Sequence, residues 1–296
     1  MTVREQPADQ HTLARPAWLP ESSWPSPLRR ADILGHTIHY TDVGAGPVLL
    51  FVHAGMWSFV WRDVIAELSK DFRCVALDFP GSGLSDSAPG YRVSIGAHAE
   101  VLAAFVAHLG LTDLTLVLHD LGAVIGLDFA AGHPEHVRAL VITQGFGWWP
   151  RQRILRGALR LMGGATMRAL NRTTNVINRL TATRFGVGRH LAAADRHAFL
   201  GPTRNRRRRR PFHDLMRDTH RSRQRLGDIE AALRGTLRDR PLLTIFGQRN
   251  DPFHFQRTWL DLYPAAHQVV VAKGNHFPMN DDPTQFATAI REWATG

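Results

Sequence analysis

The stretch LTLVLHDLGAVIGLDFA, Leu114 to Ala130, decides how the rest of the chain is read. Leu114–His119 is almost wholly aliphatic, the pattern of a strand covered on both faces. The run stops at His119-Asp120, passes Leu121-Gly122 and resumes with helical character. Asp120 then has two readings. Aspartate is a favoured N-cap, and Asp120 directly precedes a helix. A carboxylate lifted over the carboxyl end of a buried strand is also placed to attack a substrate. The neighbouring segments decide between them.

Working outward, the same alternation recurs. PVLLFVH (47–53), RCVALDF (73–79) and VRALVITQ (137–144) read as strands, and SFVWRDVIAEL (58–68) and IGAHAEVLAAFVAHLG (95–110) as helices, the second closed by Gly110. The pattern returns after Pro241 with LLTIFG (242–247), HQVVVAKG (267–274) and a last helix, PTQFATAIREW. Short aliphatic strands alternating with helices predict an α/β fold: a mostly parallel sheet flanked by helices. Residues 1–30 read as an irregular N-terminal arm, 31–145 and 241–296 as the core, and 146–240 as an inserted helical cap.

Charge divides the chain along the same boundary. Residues 147–240 hold 23 Arg, no Lys, five Asp and one Glu, a balance of +17, while the remainder carries −7, giving the net +10. The single cysteine, Cys74, sits in a strand-like run and reads as a buried inert thiol. No apolar segment reaches the length of a membrane span, and none follows the early charges as a signal peptide would, so a cytoplasmic protein is expected.

In open parallel sheets, sites form at the carboxyl ends of strands. There the chain places His53-Ala54-Gly55, then Asp120, then Gln248-Arg249-Asn250-Asp251, then Asn275-His276-Phe277. Nucleophile, acid and histidine in that order is the chain order of the α/β-hydrolase triad. The expected roles are Asp120 as nucleophile, His276 as general base and Asp251 as the acid that orients it. Backbone amides of Leu121 and of Ala54 or Gly55 would form the oxyanion hole. A carboxylate nucleophile displaces a leaving group from carbon and leaves an alkyl ester, which water activated by His276 then cleaves. The three residues together outweigh the helix-cap reading of Asp120.

At these residues the sequence resembles the haloalkane dehalogenase family of α/β-hydrolases. VALDFPGSGLSD, FGQRNDPF and KGNHFPMNDDP carry the likeness, and LMGG (161–164) is similar to runs in related caps. The resemblance implies cofactor-independent hydrolysis of a small apolar electrophile, with Asp251 rather than Asn250 as the acid. Gln144 ends its strand without a carboxylate and cannot take that role. The resemblance also marks departures. Members commonly carry Trp directly after the nucleophile, where this chain has Leu121, which has no side-chain donor. They usually have His-Gly-Asn where this chain has His53-Ala54-Gly55-Met56. The triad is kept while the halide grip is dismantled.

Met56, Trp57, Trp148, Trp149 and Phe277 are candidates to line the substrate pocket, although core packing is the stronger reading of the tryptophans. None of Tyr40, Tyr91 and Tyr263 falls in the cap, which speaks against an epoxide hydrolase of the usual two-tyrosine kind; a strained lactone remains an alternative substrate. So does a non-catalytic protein docking through the basic cap. RNRRRRRP (204–211) lacks a recognition module and interleaved aromatics, so nucleic acid is disfavoured as a partner. RQRILRGALRLMGG has Ile154, Leu155, Ala158, Leu159 and Met162 on one helical face, which either roofs the site or rests on anionic membrane.

Overall fold

The computed structural model describes residues 14–295. Eight strands, β1 (Arg29–Ile33), β2 (His36–Val43), β3 (Val48–Val52), β4 (Arg73–Leu77), β5 (Leu114–His119), β6 (Val137–Thr143), β7 (Leu242–Gly247) and β8 (His267–Val271), form one sheet in the order β1-β2-β4-β3-β5-β6-β7-β8. β2 pairs antiparallel with β1 and β4, and every other pairing is parallel. Parallel neighbours need crossovers, and helices provide them. α1 (Arg62–Leu68) joins β3 to β4, α2 (Ile95–His108) joins β4 to β5, and α3 (Leu121–Gly132) joins β5 to β6.

Six more helices lie between β6 and β7: α4 (Arg153–Met162), α5 (Ala165–Thr174), α6 (Val176–Thr181), α7 (Ala193–Leu200), α8 (Arg210–Arg221) and α9 (Arg223–Arg234). α10 (Phe255–Leu262) joins β7 to β8, and α11 (Pro278–Asp281) and α12 (Pro283–Thr295) follow. Among the described residues no helix is long and apolar enough to cross a membrane.

The central strands are apolar without alternation because each face has its own core. Leu116, Leu118, Leu140 and Ile142 point into one hydrophobic cluster, and Val117, Val141, Leu243 and Ile245 into the other. Burial on both sides also explains Cys74. Desolvation, then the charge of Asp42, pushes its thiol up to about 12, so it stays protonated and inert. The described part of the N-terminal arm completes the second cluster, burying Leu19, Trp24 and Leu28; residues 1–13 of the expected arm lie outside the described residues. The arm ends earlier than its composition predicts. Arg29 and Arg30 begin edge strand β1, paired with Tyr40 and His39, because Ala31 and Ile33 alternate inward while the arginines face solvent.

The inserted helices are tied down by opposite charges across the boundary. Arg225 meets Asp128 of α3 at 2.8 Å, Arg208 meets Asp86 at 2.6 Å, and Asp218 accepts the Ile95 amide opening α2 at 2.8 Å.

The loop after β4 turns on one buried carboxylate. Asp78 accepts from the Ser58 amide at 2.7 Å and the Leu84 amide at 2.9 Å, and meets His39 Nδ1 at 3.0 Å. Gly83 is obligatory beside it: at φ 51°, a β-carbon there would lie 2.1 Å from the carboxylate. Removing the acceptor strands two amides and a histidine in a dry site. Asp78→Ala is therefore expected to cost about 3–5 kcal/mol, read as a lower denaturant midpoint with unchanged slope.

Candidate active site

Asp120 stands at the turn from β5 into α3 with φ 50° and ψ −128°, a conformation that non-glycine residues rarely adopt. Close packing enforces it. The Asp120 amide donates to the Thr143 carbonyl at 3.2 Å, and Ala123 N–H returns to the Asp120 carbonyl at 3.0 Å. Helix α3 presses onto the sheet at Gly122, where a β-carbon would lie 2.5 Å from the Val52 carbonyl oxygen. Gly145 makes room on the other side, where a β-carbon would meet Ala123 at 2.5 Å. The Asp120 side chain makes no capping hydrogen bond to the N2 or N3 amide of α3 and meets only the adjacent Leu121 amide, so the helix-cap reading does not describe it.

The carboxylate faces His276, whose Nε2 lies 3.6 Å from Asp120 Oδ2. That is ion-pair range and longer than a hydrogen bond. Both side chains stay reachable from solvent, at 26% and 32% exposure. Burial pushes the Asp120 carboxyl up, but the pull of His276 and the Leu121 amide outweighs it and holds the group below its usual value.

Behind the pair lies a histidine doublet. The His53 and His119 rings stack at 18°, Nδ1 to Nδ1 at 3.1 Å, and His119 Nε2 lies 2.8 Å from the His276 carbonyl oxygen. The contacts fix the protons. A carbonyl only accepts, so His119 carries its hydrogen on Nε2 and offers a bare Nδ1, to which His53 donates from Nδ1. Burial, with the charge of His276, drives both below the usual histidine value, His53 to about 3, so the doublet is neutral. It holds the His276 backbone in place. Phe277 packs its ring against His119 and His276, each at 4.9 Å, and is the one predicted pocket aromatic found against the histidines.

The expected acid is not where the sequence reading put it. Asp251 accepts from the Phe255 amide at 2.7 Å and the Gln256 amide at 2.9 Å, so both its oxygens serve the start of α10. Asn250 stands at His276 instead, its side-chain amide 3.0 Å from Nδ1. Gly247 and Gly274 allow this by letting the two loops touch; a β-carbon on Gly247 would lie 2.1 Å from the Asn275 carbonyl oxygen. Gln144 supports Asn250 from the end of β6. The amide orientation that satisfies Gln144 accepts the Gly247 N–H at 2.7 Å and donates to the Asn250 carbonyl at 2.7 Å. Its nitrogen then faces the Asn250 side chain at 3.2 Å, which calls for the Asn250 oxygen there, between Gln144 and a protonated His276 Nδ1. In that arrangement His276 Nε2 carries a lone pair, as a general base requires.

Leu121 is buried, and Gly55, at φ 83°, bears no side chain where a halide-holding asparagine was looked for. The tryptophans do not replace them. The Trp57 indole donates to the Phe199 carbonyl at 3.0 Å, and its ring stacks with Trp24 and Phe59. Trp148 packs on Trp259 and Phe255 in the core, and Trp149 lies near His220 of α8. Met56 is half-buried beside Gly55 in the loop after β3. The structure adds Phe212 of α8, whose ring covers that loop: a β-carbon on Gly55 would lie 2.7 Å from it. Among the described residues no cluster of three or more His, Cys, Asp or Glu could hold a metal ion.

A family model described as alpha/beta hydrolase fold matches residues 47–283. The chain is 29% identical over 274 residues to haloalkane dehalogenase 2 of Mycobacterium tuberculosis, covering 91% of this chain and 95% of that protein. It is also 29% identical over 287 residues to cis-3-alkyl-4-alkyloxetan-2-one decarboxylase of Xanthomonas campestris, covering 89% and 94%. Among solved structures, haloalkane dehalogenase DbeA from Bradyrhizobium elkani shares the fold at a TM-score of 0.79 and 22% identity, with 91% of this chain and 97% of that one covered. The strained elbow, the facing histidine and these matches agree: the chain belongs to the alpha/beta hydrolase fold family, as a haloalkane dehalogenase-like hydrolase.

Proposed function

We propose that Asp120 opens a small apolar electrophile and that His276-activated water then releases the product. The observation that carries this reading is the uncapped Asp120 carboxylate on a strained turn, 3.6 Å from His276 Nε2. In the first step an Asp120 oxygen bonds to the electrophilic carbon while the leaving group departs with the bonding pair. In the second, water gives a proton to His276 and attacks the ester carbonyl, with the Leu121 amide and that of Ala54 or Gly55 facing the oxyanion. Collapse returns the Asp120 carboxylate and passes the proton to the departing alkoxide.

Neither residue 121 nor residue 55 brings a side-chain donor for a departing halide. A donor to a developing anion is worth about 3–4 kcal/mol in a serine protease, and each missing halide donor is expected to cost a similar amount. An electrophile whose leaving group stays on the molecule suits the site better, and a strained lactone is such a substrate. Its ring C–O bond breaks and the freed carboxylate remains attached to the product. The relatives named oxetan-2-one decarboxylases in Xanthomonas campestris and Shewanella oneidensis support that substrate class.

Asn250 at His276 favours a second exit for an opened four-membered lactone. An amide stabilises an imidazolium less than a carboxylate does, so the water step is slow. The opened lactone has an alternative that needs no water. Its C–CO2 bond breaks, the pair forms a carbon–carbon double bond, and Asp120 leaves as carboxylate, giving an alkene and CO2. Product analysis separates hydroxy acid from alkene.

The decisive experiment blocks the water step with His276→Gln, incubates the protein with haloalkanes, epoxides and oxetan-2-ones, and seeks added mass on the Asp120 peptide. An adduct with one class, or alkene released from an oxetan-2-one, names the substrate; neither adduct nor alkene across the panel overturns the nucleophile.

Because its folded pKa is depressed, the Asp120 carboxylate is lost only as pH falls below the ordinary 3.8. Ester formation in the wild-type chain should persist through pH 5. In His276→Gln the main lowering partner is gone and burial prevails, so the midpoint of ester formation should move up. Equal midpoints, read by quenched-flow mass spectrometry, would show that the ring does not act on the carboxylate.

Asn250→Asp should quicken single-turnover ester hydrolysis by about tenfold or more, since exchanging these groups in serine proteases shifts turnover by up to about 10⁴. Asp251→Asn should leave that step within about twofold and lower stability by about 1 kcal/mol through the weakened helix start. The reverse pattern would return the orienting role to Asp251.

A further inference from the structure

The inserted helices present a surface that catalysis does not use. Of the large apolar side chains exposed among the described residues, five fall on α4–α6 and the loop after them: Ile154 at 78%, Leu161 at 63%, Leu170 at 46%, Leu180 at 58% and Phe185 at 73%. The helical face expected from the sequence is split in α4. Leu159 is buried and Leu155 and Met162 half-buried, while Ile154 and Leu161, two turns apart, stand outward with Gly157 and Ala158 between them. The same stretch, residues 151–194, contains nine Arg and no acidic residue.

A cleft of about 1740 Å³ borders this surface, between α5, the arginine turn 206–210 and the loop 80–93. Its carboxylates are already engaged. Arg208 holds Asp86, and Arg168, Arg210 and Arg217 surround Asp214 at 3.7, 2.8 and 3.0 Å. Arg209 is buried and donates to the carbonyls of Thr203 and Arg172, both at 2.7 Å. Arg172, Arg206 and Arg207 line the cleft, are exposed, and have no carboxylate within ion-pair distance among the described residues.

We propose that this face docks on the surface of an anionic phospholipid bilayer. Ile154, Leu161, Leu170, Leu180 and Phe185 would enter the acyl boundary, and Arg172, Arg206 and Arg207 would meet headgroup phosphates at the cleft. Charge and apolarity together choose the occupant. A second copy of the chain brings the same positive charge and is repelled. Nucleic acid satisfies the arginines but gains nothing from protruding aliphatic and aromatic side chains. A bilayer takes both, as amphipathic basic helices do.

The test is vesicle flotation of the full chain. It uses phosphatidylcholine alone or mixed with phosphatidylglycerol, with three proteins: wild type, Ile154→Ser with Leu161→Ser, and Arg172→Gln with Arg206→Gln and Arg207→Gln. Thermal melts confirm that each variant folds. The wild type should float with phosphatidylglycerol vesicles, stay down with phosphatidylcholine alone, and weaken as salt shortens the Debye length from about 10 Å near 0.1 M to about 3 Å near 1 M. Each arginine at such a surface is worth about fivefold in partition, so the triple change should lose about a hundredfold. The double serine change should lose at least about tenfold. No flotation at low salt overturns the proposal. So does flotation indifferent to the serine changes, or tighter binding to a labelled oligonucleotide that those changes leave intact.

Discussion

A residue held at φ 50° and ψ −128° is the constraint on which the rest of this molecule depends. An aspartate does not rest there by preference. It is kept there because β5 ends beneath it, α3 begins immediately after it, and glycines at 122 and 145 let both neighbours close to backbone distance. The result is a carboxylate carried on the sheet's rigid centre. The core is organised to supply that rigidity, with β5 and β7 buried end to end between two apolar layers.

The partner groups sit on loops, and each is fixed by something specific. His276 is held through its own carbonyl by His119, and through its ring by Asn250. Asn250 is held by Gln144, and the two loops meet through glycines too small to keep them apart. Phe212 brings the insertion into the same arrangement by lying over Gly55. The uneven charge of the chain has a structural use at this boundary. Acidic groups of the core, Asp86 and Asp128, receive arginines of the insertion. Exposed pairs of this kind contribute little each, so they set the registration of the layers more than their stability.

The sheet and the position of Asp120 over a strand end were legible because both rest on local signals: aliphatic runs of strand length and an acid at the point where one ends. The residue that meets His276 Nδ1 was not. Asn250 and Asp251 are adjacent, polar and equally suited to a strand end, and the charged one looked right for the chemistry. What separates them is the start of α10, whose amides claim a carboxylate, and no pattern in the loop itself announces that claim. The tryptophans took the core role that the sequence favoured over a pocket role. Trp57 and Trp148 lie near the site in sequence, but large aromatics are drawn into the core, where Trp57 also found a carbonyl for its indole. Phe212 was invisible because its contact with Gly55 joins segments far apart in the chain. β1 was hidden by its two leading arginines, which belong on the outer side of an edge strand.

The amide behind His276 has a consequence for the path of the proton. In a hydrolase with a carboxylate at that position, positive charge arriving on the ring is balanced from the rear. Here Asn250 and Gln144 are neutral, and His119, which packs edge-on against the His276 ring at 4.9 Å, gives its hydrogen to the His276 carbonyl while His53 gives its own to His119. Among the described residues no carboxylate lies within ion-pair distance of His276 Nδ1. Under the proposed water step, a proton taken up by the imidazole has to leave by the Nε2 face that received it, so recharging is governed by the traffic of molecules through the mouth of the site.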